Sequence, residues 1–200
     1  MLLEALNISF RHPNGHWLFR NLSFSLRSGE IVGIRGPSGC GKTTFARIIS
    51  GYEEPSEGVV LLDNSPLPKA NYHPVQLIYQ HPEKAVNIRW KMSKILNEGW
   101  NPDDNLLTSL GIEREWLNRW PNELSGGELQ RFCVARALGP KTKFLIADEM
   151  TTMLDAISQA QIWYSVLKGA EERNLGIIVV SHDNYLLNRV CSKVIEFDSL

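Results

Sequence analysis

Three short stretches of this sequence carry residues whose types and spacing suit work on a polyphosphate. Gly36-Pro37-Ser38-Gly39-Cys40-Gly41-Lys42-Thr43 fits the pattern GxxxxGK[ST], with Thr44 next in line. Glycines at 36, 39 and 41 let the backbone turn so that successive N–H groups face inward onto phosphate oxygens. Lys42 then reaches the β and γ phosphates as a point charge, and Thr43 offers a hydroxyl to Mg2+. Phe144-Leu145-Ile146-Ala147-Asp148-Glu149 is an apolar run that ends in two acids. Acids at the carboxyl edge of an open α/β sheet stand where ligands bind. Asp148 is placed to hold Mg2+, directly or through water, and Glu149 to orient and deprotonate an attacking water. Leu124-Ser125-Gly126-Gly127-Glu128 is the third stretch. Ser125 caps a helix expected to begin near Glu128, and the two glycines bare its first N–H groups. That serves an anion site as readily as a plain cap.

The elements that must position these residues can be read around them. Ile31 to Arg35 is a short β-type run leading into the glycine loop. Phe45, Ile48 and Ile49 then fall at helical spacing over Lys42 to Ser50, with Gly51 as the stop. Strand, glycine loop, helix is the order the phosphate reading needs. Leu22 to Leu26 alternates with a period of two, and Val59 to Leu62 is a further β candidate, so an antiparallel β region is expected over about 1–30 and 56–72. Val75 to Tyr79 reads as a strand. From about 83 to 138 the character is helical, broken by Pro102 and Pro121, with Trp90, Trp100, Trp116 and Trp120 inside it as core or as a groove for a helix. Lys143 to Ala147, a helix over Asp155 to Gly169 and a strand over Gly176 to Val180 follow, and Val194 to Phe197 is a last strand. Ile- and Val-rich strands alternating with helices predict an α/β fold with a mainly parallel sheet covered on both faces.

Composition excludes several classes. The chain has 200 residues, 43% hydrophobic and 22% charged, which suits one globular domain with a full core. Its net charge of −1 gives no global field for a nucleic-acid backbone, and no nucleic-acid partner is expected. The longest apolar run, Leu175 to Val180, is far short of the roughly 20 residues a spanning helix needs. The first residues do not read as a secretory signal. Cys40, Cys133 and Cys191 are odd in number and far apart, which points to free thiols in a reducing setting.

The glycine loop, the Leu124 to Glu128 stretch and the acid-ended strand, in this order, resemble the ATP-binding cassette ATPases of ABC transporters. The resemblance covers nearly the whole chain. It implies a phosphate-loop core, an antiparallel β region and an inserted helical region, and ATP and Mg2+ as cofactors. Residue by residue, it makes Gln80 a contact to Mg2+ or water that signals to a membrane partner. It makes Asp155 a contact to a second ATPase subunit, identical or different, and His182 a switch beside the γ-phosphate. Two subunits would bind head to tail, so that Ser125, Gly126, Gly127 and Glu128 serve the opposite site. Integral membrane permease subunits are the implied partners, at the cytoplasmic face of the inner membrane.

Departures from the family pattern are few. The position of the adenine-stacking aromatic holds His12, with Phe10 and Trp17 as other candidates, and Met150 stands where proline is common. His81 to Asn87, Leu117 to Glu123 and Ile157 to Ile162 resemble importers of peptides, nickel and metal chelates. No carboxyl-terminal regulatory extension is expected. Rival readings are an exporter subunit, a soluble cassette of translation or DNA repair, and a cassette that binds nucleotide without cleaving it.

Overall fold

Alternation in the sequence divides each central strand between two cores, and the site follows from that arrangement. In a computed structural model of the chain, residues 1–13, 15–69 and 72–199 are described; Ala70 and Asn71 of the expected β region lie outside them, as does Leu200. The strands, numbered along the chain, are β1 (Leu2–Arg11), β2 (Trp17–Arg27), β3 (Ile31–Arg35), β4 (Glu57–Leu62), β5 (Ser65–Pro66), β6 (Val75–Ile78), β7 (Phe144–Asp148), β8 (Gly176–Val180) and β9 (Lys193–Glu196). The helices are α1 (Lys42–Ile49), α2 (Met92–Leu96), α3 (Asp104–Ser109), α4 (Gly126–Ala137), α5 (Ala156–Arg173) and α6 (Asn184–Val190). Short 3-10 turns at Pro82–Lys84, Arg114–Asn118 and Pro121–Glu123 link the small helices of the middle region.

Two sheets result. One is antiparallel, in the order β2-β1-β4-β5; the other is parallel throughout, in the order β6-β7-β8-β3-β9. The α/β class with a parallel core sheet is therefore as the sequence predicts. Phe144, Ile146, Ile178 and Val180 point into a core shared with β1, β2 and α1. Leu145, Ala147, Ile177 and Val179 point into the other, shared with α4, α5 and the middle helices. Parallel strands buried on both faces need this unbroken apolar character. Gly33 on β3 is where α6 comes closest: a Cβ there would lie 3.0 Å from Leu187 Cδ2 and 3.1 Å from Cys191 Sγ.

Three boundaries differ from the expectation. Helix α4 begins at Gly126, not near Glu128, because Ser125 and Glu128 form a reciprocal capping box that draws both glycines into the first turn. Along it Leu129, Gln130, Phe132, Cys133, Val134, Ala135 and Ala137 are buried. Helix α5 runs one turn past Gly169 to Arg173 and stops at Asn174 in the left-handed region. Phe197 begins a 3-10 turn beyond β9, its ring packed edge-on against Phe19 and Phe45. Of the four middle-region tryptophans, Trp116 is buried and Trp120 is exposed. The Trp100 indole donates to the Arg136 carbonyl at 3.0 Å, and Trp90 carries the Lys94 ammonium at 4.0 Å.

Candidate functional site

Strand registers bring the chemistry to one edge. Ile34 pairs with Val180, Val180 with Asp148, and Ala147 with Ile78. The residues that follow these strand ends are therefore Gly36, Ser181-His182, Glu149 and Tyr79-Gln80, all at the carboxyl edge of one sheet.

The glycine loop fills the first position. Gly39 and Gly41 have φ of 80° and 112°. A Cβ on Gly41 would lie 3.0 Å from Phe19 Cδ1 and 3.1 Å from Leu18 Cγ, so β2 leaves no room for a side chain. Nothing lies within 4 Å of the same point at Gly39. One glycine seats the loop on β2; the other leaves the backbone bare on its open side. Lys42, only 6% exposed, folds back over the loop. Its ammonium donates to the carbonyls of Gly36 at 2.8 Å and Pro37 at 2.7 Å, with Cys40 Sγ at 3.8 Å. Thr44 is half-buried on α1 behind Thr43, and Ser38 is exposed at the loop tip.

Asp148 ends β7 and is 3% exposed. Burial raises its carboxyl above the usual carboxylate range, a bond from the Thr43 hydroxyl lowers it, and the neighbouring Glu149 charge raises it again. Its Oδ1 is buried with no partner among the described residues. A buried unpaired carboxylate oxygen beside a threonine hydroxyl is an all-oxygen start for a hard cation, so Asp148 and Thr43 fit Mg2+. Gln80, the third residue expected at the cation, directs its amide nitrogen to Glu149.

Glu149 adopts φ 48°, in the left-handed region, as the chain leaves β7. Its N–H donates to the Val180 carbonyl at 3.0 Å, and its own carbonyl accepts from the Thr152 hydroxyl at 3.0 Å. The carboxylate is clasped from two sides. Gln80 Nε2 donates to Oε2 at 3.2 Å, and His182 Nε2 lies 3.1 Å from Oε1. The second contact requires a proton on Nε2. Thr152, also 3.5 Å from Gln80 Nε2, escapes a reading of the sequence. The signal that could have found it is a hydroxyl three residues past an acid, the spacing of a turn closed by a side chain.

Other predicted residues stand apart from this cluster. Ser125 Oγ accepts from Glu128 N–H at 3.2 Å, and Glu128 Oε2 accepts from Ser125 N–H at 2.8 Å. Among the described residues no hydrogen bond or ion pair joins this cap to Lys42, Asp148 or Glu149. A Cβ on Gly126 would meet nothing within 4 Å, whereas one on Gly127 would lie 2.8 Å from Leu154 Cδ2. Asp155 caps α5 through the N–H groups of Ser158 and Ile157; the Ser158 N–H and hydroxyl first, then the Ile157 N–H, hold its carboxyl below the usual range. His12 is exposed and packs edge-on against buried Phe10, at 5.2 Å between centroids.

A parallel strand that passes its chain through a glycine loop into a helix, in a sheet of this order, defines the phosphate-loop class of nucleotide hydrolases. The ABC transporter family model matches residues 19–152. The chain is 33% identical to the nickel import ATP-binding protein NikE of Escherichia coli strain UTI89, over 99% of this chain and 84% of that protein. It is 32% identical to the protein of the same name from Shigella sonnei, with the same coverage. Its fold is similar to that of the dimeric ATP-binding cassette MJ0796 bound to ADP and Pi, with a TM-score of 0.81, 24% identity, and 97% and 93% of the two chains covered. It is also similar to cbiO1 from Clostridium perfringens, with a TM-score of 0.77, 23% identity, and 97% and 83% covered. The chain belongs to the ABC transporter family, as an ATPase subunit.

Proposed function

We propose that this chain powers an importer for nickel, metal chelates or peptides, working as one of two cassettes beneath membrane permease subunits. The clasp on Glu149 carries the mechanistic reading. Gln80 and His182 each hold one carboxylate oxygen, which fixes the carboxylate plane next to the Asp148 edge. A carboxylate so held is oriented to take a proton from water as the water oxygen attacks the γ-phosphorus. The bond to the β–γ bridging oxygen then breaks, giving ADP and phosphate. Lys42 exchanges the Gly36 and Pro37 carbonyls for phosphate oxygens and, with His182, stabilises the developing charge. Asp148 and Thr43 would hold Mg2+, which when bound neutralises charge on the β and γ phosphates.

In this reading the backbone of Gly36 to Gly41, with Thr44 behind it, cradles the triphosphate. Of the three candidates for the adenine, His12 is favoured. Phe10 is buried, and the Trp17 ring already has the guanidiniums of Arg11 and Arg20 at 5.0 and 4.9 Å. Ser125, Gly126, Gly127 and Glu128 serve the partner cassette's nucleotide, and Asp155 touches that cassette. The exposed first turn at Gly126 supports this, since a Cβ there would meet nothing within 4 Å and a phosphate has room to approach. The regions at about 1–30 with 56–72, and 83–138, are the antiparallel β and helical subdomains of a single ATPase domain, and the remainder is its catalytic core.

Support for the importer comes from the likeness to NikE across 99% of the chain. A groove of about 520 Å3, lined in part by Tyr52, Tyr79, Lys84, Cys133 and Arg136, is offered as a contact point for a permease segment. Peripheral attachment at the cytoplasmic face is proposed from the likeness to nickel import ATP-binding proteins; among the described residues no helix is long and apolar enough to cross a membrane. The test is Glu149→Gln. It should keep ATP binding and lose about 10²–10⁴-fold in turnover, the range for a general base. Ordinary hydrolysis by that variant would falsify the assignment.

A further inference from the structure

One face of α4 carries a ladder of side chains onto main-chain carbonyls. Gln130 Nε2 donates to the Tyr79 carbonyl at 3.1 Å, Cys133 Sγ faces the Pro82 carbonyl at 3.9 Å, and Arg136 Nη2 donates to the Ala85 carbonyl at 2.6 Å. The donors are three residues apart, and so are the acceptors. A helix rising about 1.5 Å per residue thus lies along the segment 79–85 for roughly 9 Å. Gln80 is the second residue of that segment, and the helix begins with Gly126.

The first rung is the unusual one. Gln130 is 2% exposed, and its Oε1 is buried with no partner among the described residues. A methionine would fill this space without burying an unpaired oxygen. The amide orientation is settled by its neighbour, because the flipped form would set oxygen against oxygen. What the amide contributes is a donor that fixes the Tyr79 carbonyl. The peptide unit is planar, so fixing that carbonyl fixes the Gln80 N–H and the direction in which Gln80 leaves it. Tyr79 is held from its other side too, with the Arg47 guanidinium 5.9 Å above its ring and Tyr52 edge-on at 5.8 Å.

We propose that Gln130 is a positioning residue: it ties the helix opened by Ser125-Gly126-Gly127 to the peptide that aims Gln80 at Glu149. This rests on the reading of Gln80 and Glu149 above. Moving α4 moves the Tyr79 carbonyl, and with it one of the two groups that orient the carboxylate.

The test is steady-state magnesium-ATP hydrolysis by the full chain. Gln130→Met should lower kcat about 10- to 100-fold, as misplacement of a catalytic group does, with KM changed less than about twofold. Added to Gln80→Ala, it should have almost no further effect, because both act through one contact. Gln130→Glu supplies a donor only while its carboxyl is protonated, so its kcat relative to the parent should rise as pH falls, and that of Gln130→Met should not. The inference is overturned if Gln130→Met turns over like the parent, or if its loss multiplies with that of Gln80→Ala. It is equally overturned if the kcat of Gln130→Glu relative to the parent does not rise as pH falls; this arm needs no Gln130→Met chain and still decides should that variant fail to fold. A Gln80→Ala chain as active as the parent removes the reading of Gln80 itself. A slow Gln80→Ala beside a fast Gln130→Met removes only the role of Gln130.

Discussion

His182 Nε2 lies 3.1 Å from Glu149 Oε1, which joins the end of β8 to the end of β7 as one hydrogen-bonded unit. The strands are adjacent in the sheet, and Asp148 pairs with Val180 two residues before the histidine. Removing the imidazole leaves the carboxylate held by Gln80 alone. His182→Ala should therefore lower kcat by about 10²–10³, as loss of one preorganised polar group does. ATP affinity should change little. Radiolabelled-nucleotide binding beside phosphate-release kinetics checks both, and an unchanged kcat sinks the unit as functional.

Asp148 makes stability depend on pH in a stated direction. Burial raises its folded-state pKa above the ordinary value, so the folded chain holds this proton more tightly than the unfolded chain. Its stabilising contribution is complete below the ordinary carboxylate range and is lost as pH rises through the raised value. Asp148→Asn removes the buried charge. Without nucleotide and Mg2+ at neutral pH it should gain about 1 kcal/mol, or about 2–4 °C in Tm. The stabilisation that Mg2+ adds to ATP should vanish in the same variant. Thermal melts with and without the cation test both halves.

Gly126 separates folding from docking. A Cβ there meets nothing within 4 Å, and a helical alanine is better than glycine by at most about 1 kcal/mol. Gly126→Ala should melt no lower than the parent. On the proposed role in trans it should yet lose turnover when two cassettes must close, since the methyl group would stand between the first turn of α4 and the partner cassette's phosphate. A variant with parental turnover argues against any role in trans.

Arg131 ties α4 to α5. Its guanidinium donates to Gln161 Oε1 at 2.8 Å, Ser158 Oγ at 3.0 Å and the Leu110 carbonyl. Arg131→Ala should cost about 2–4 kcal/mol, because it strips a charged donor from several half-buried acceptors. Arg131→Lys should recover less than half, since an ammonium does not reproduce the fork. Urea unfolding midpoints decide this.

Local signals made much of this legible. The phosphate loop needed only glycine positions and a flanking strand and helix, and the sheet class needed only runs such as Ile177 to Val180. The start of α4 was hidden because two glycines look like loop until the Ser125–Glu128 box is seen to close around them. The clasp on Glu149 was not legible as geometry. Gln80 is 69 residues away from Glu149 in sequence, and only strand register brings them to one edge. The Gln130 rung was hidden for the same reason: its acceptor is a main-chain carbonyl on a segment whose path depends on the tertiary fold.

Glu149 occupies a backbone conformation that suits glycine better than any branched or charged residue. Replacing it by glycine would relieve the turn and remove a carboxylate from beside Asp148. A laboratory search for heat resistance alone would thus be drawn to position 149 and, on the role proposed for this carboxylate, would return a sturdier molecule that no longer turns over.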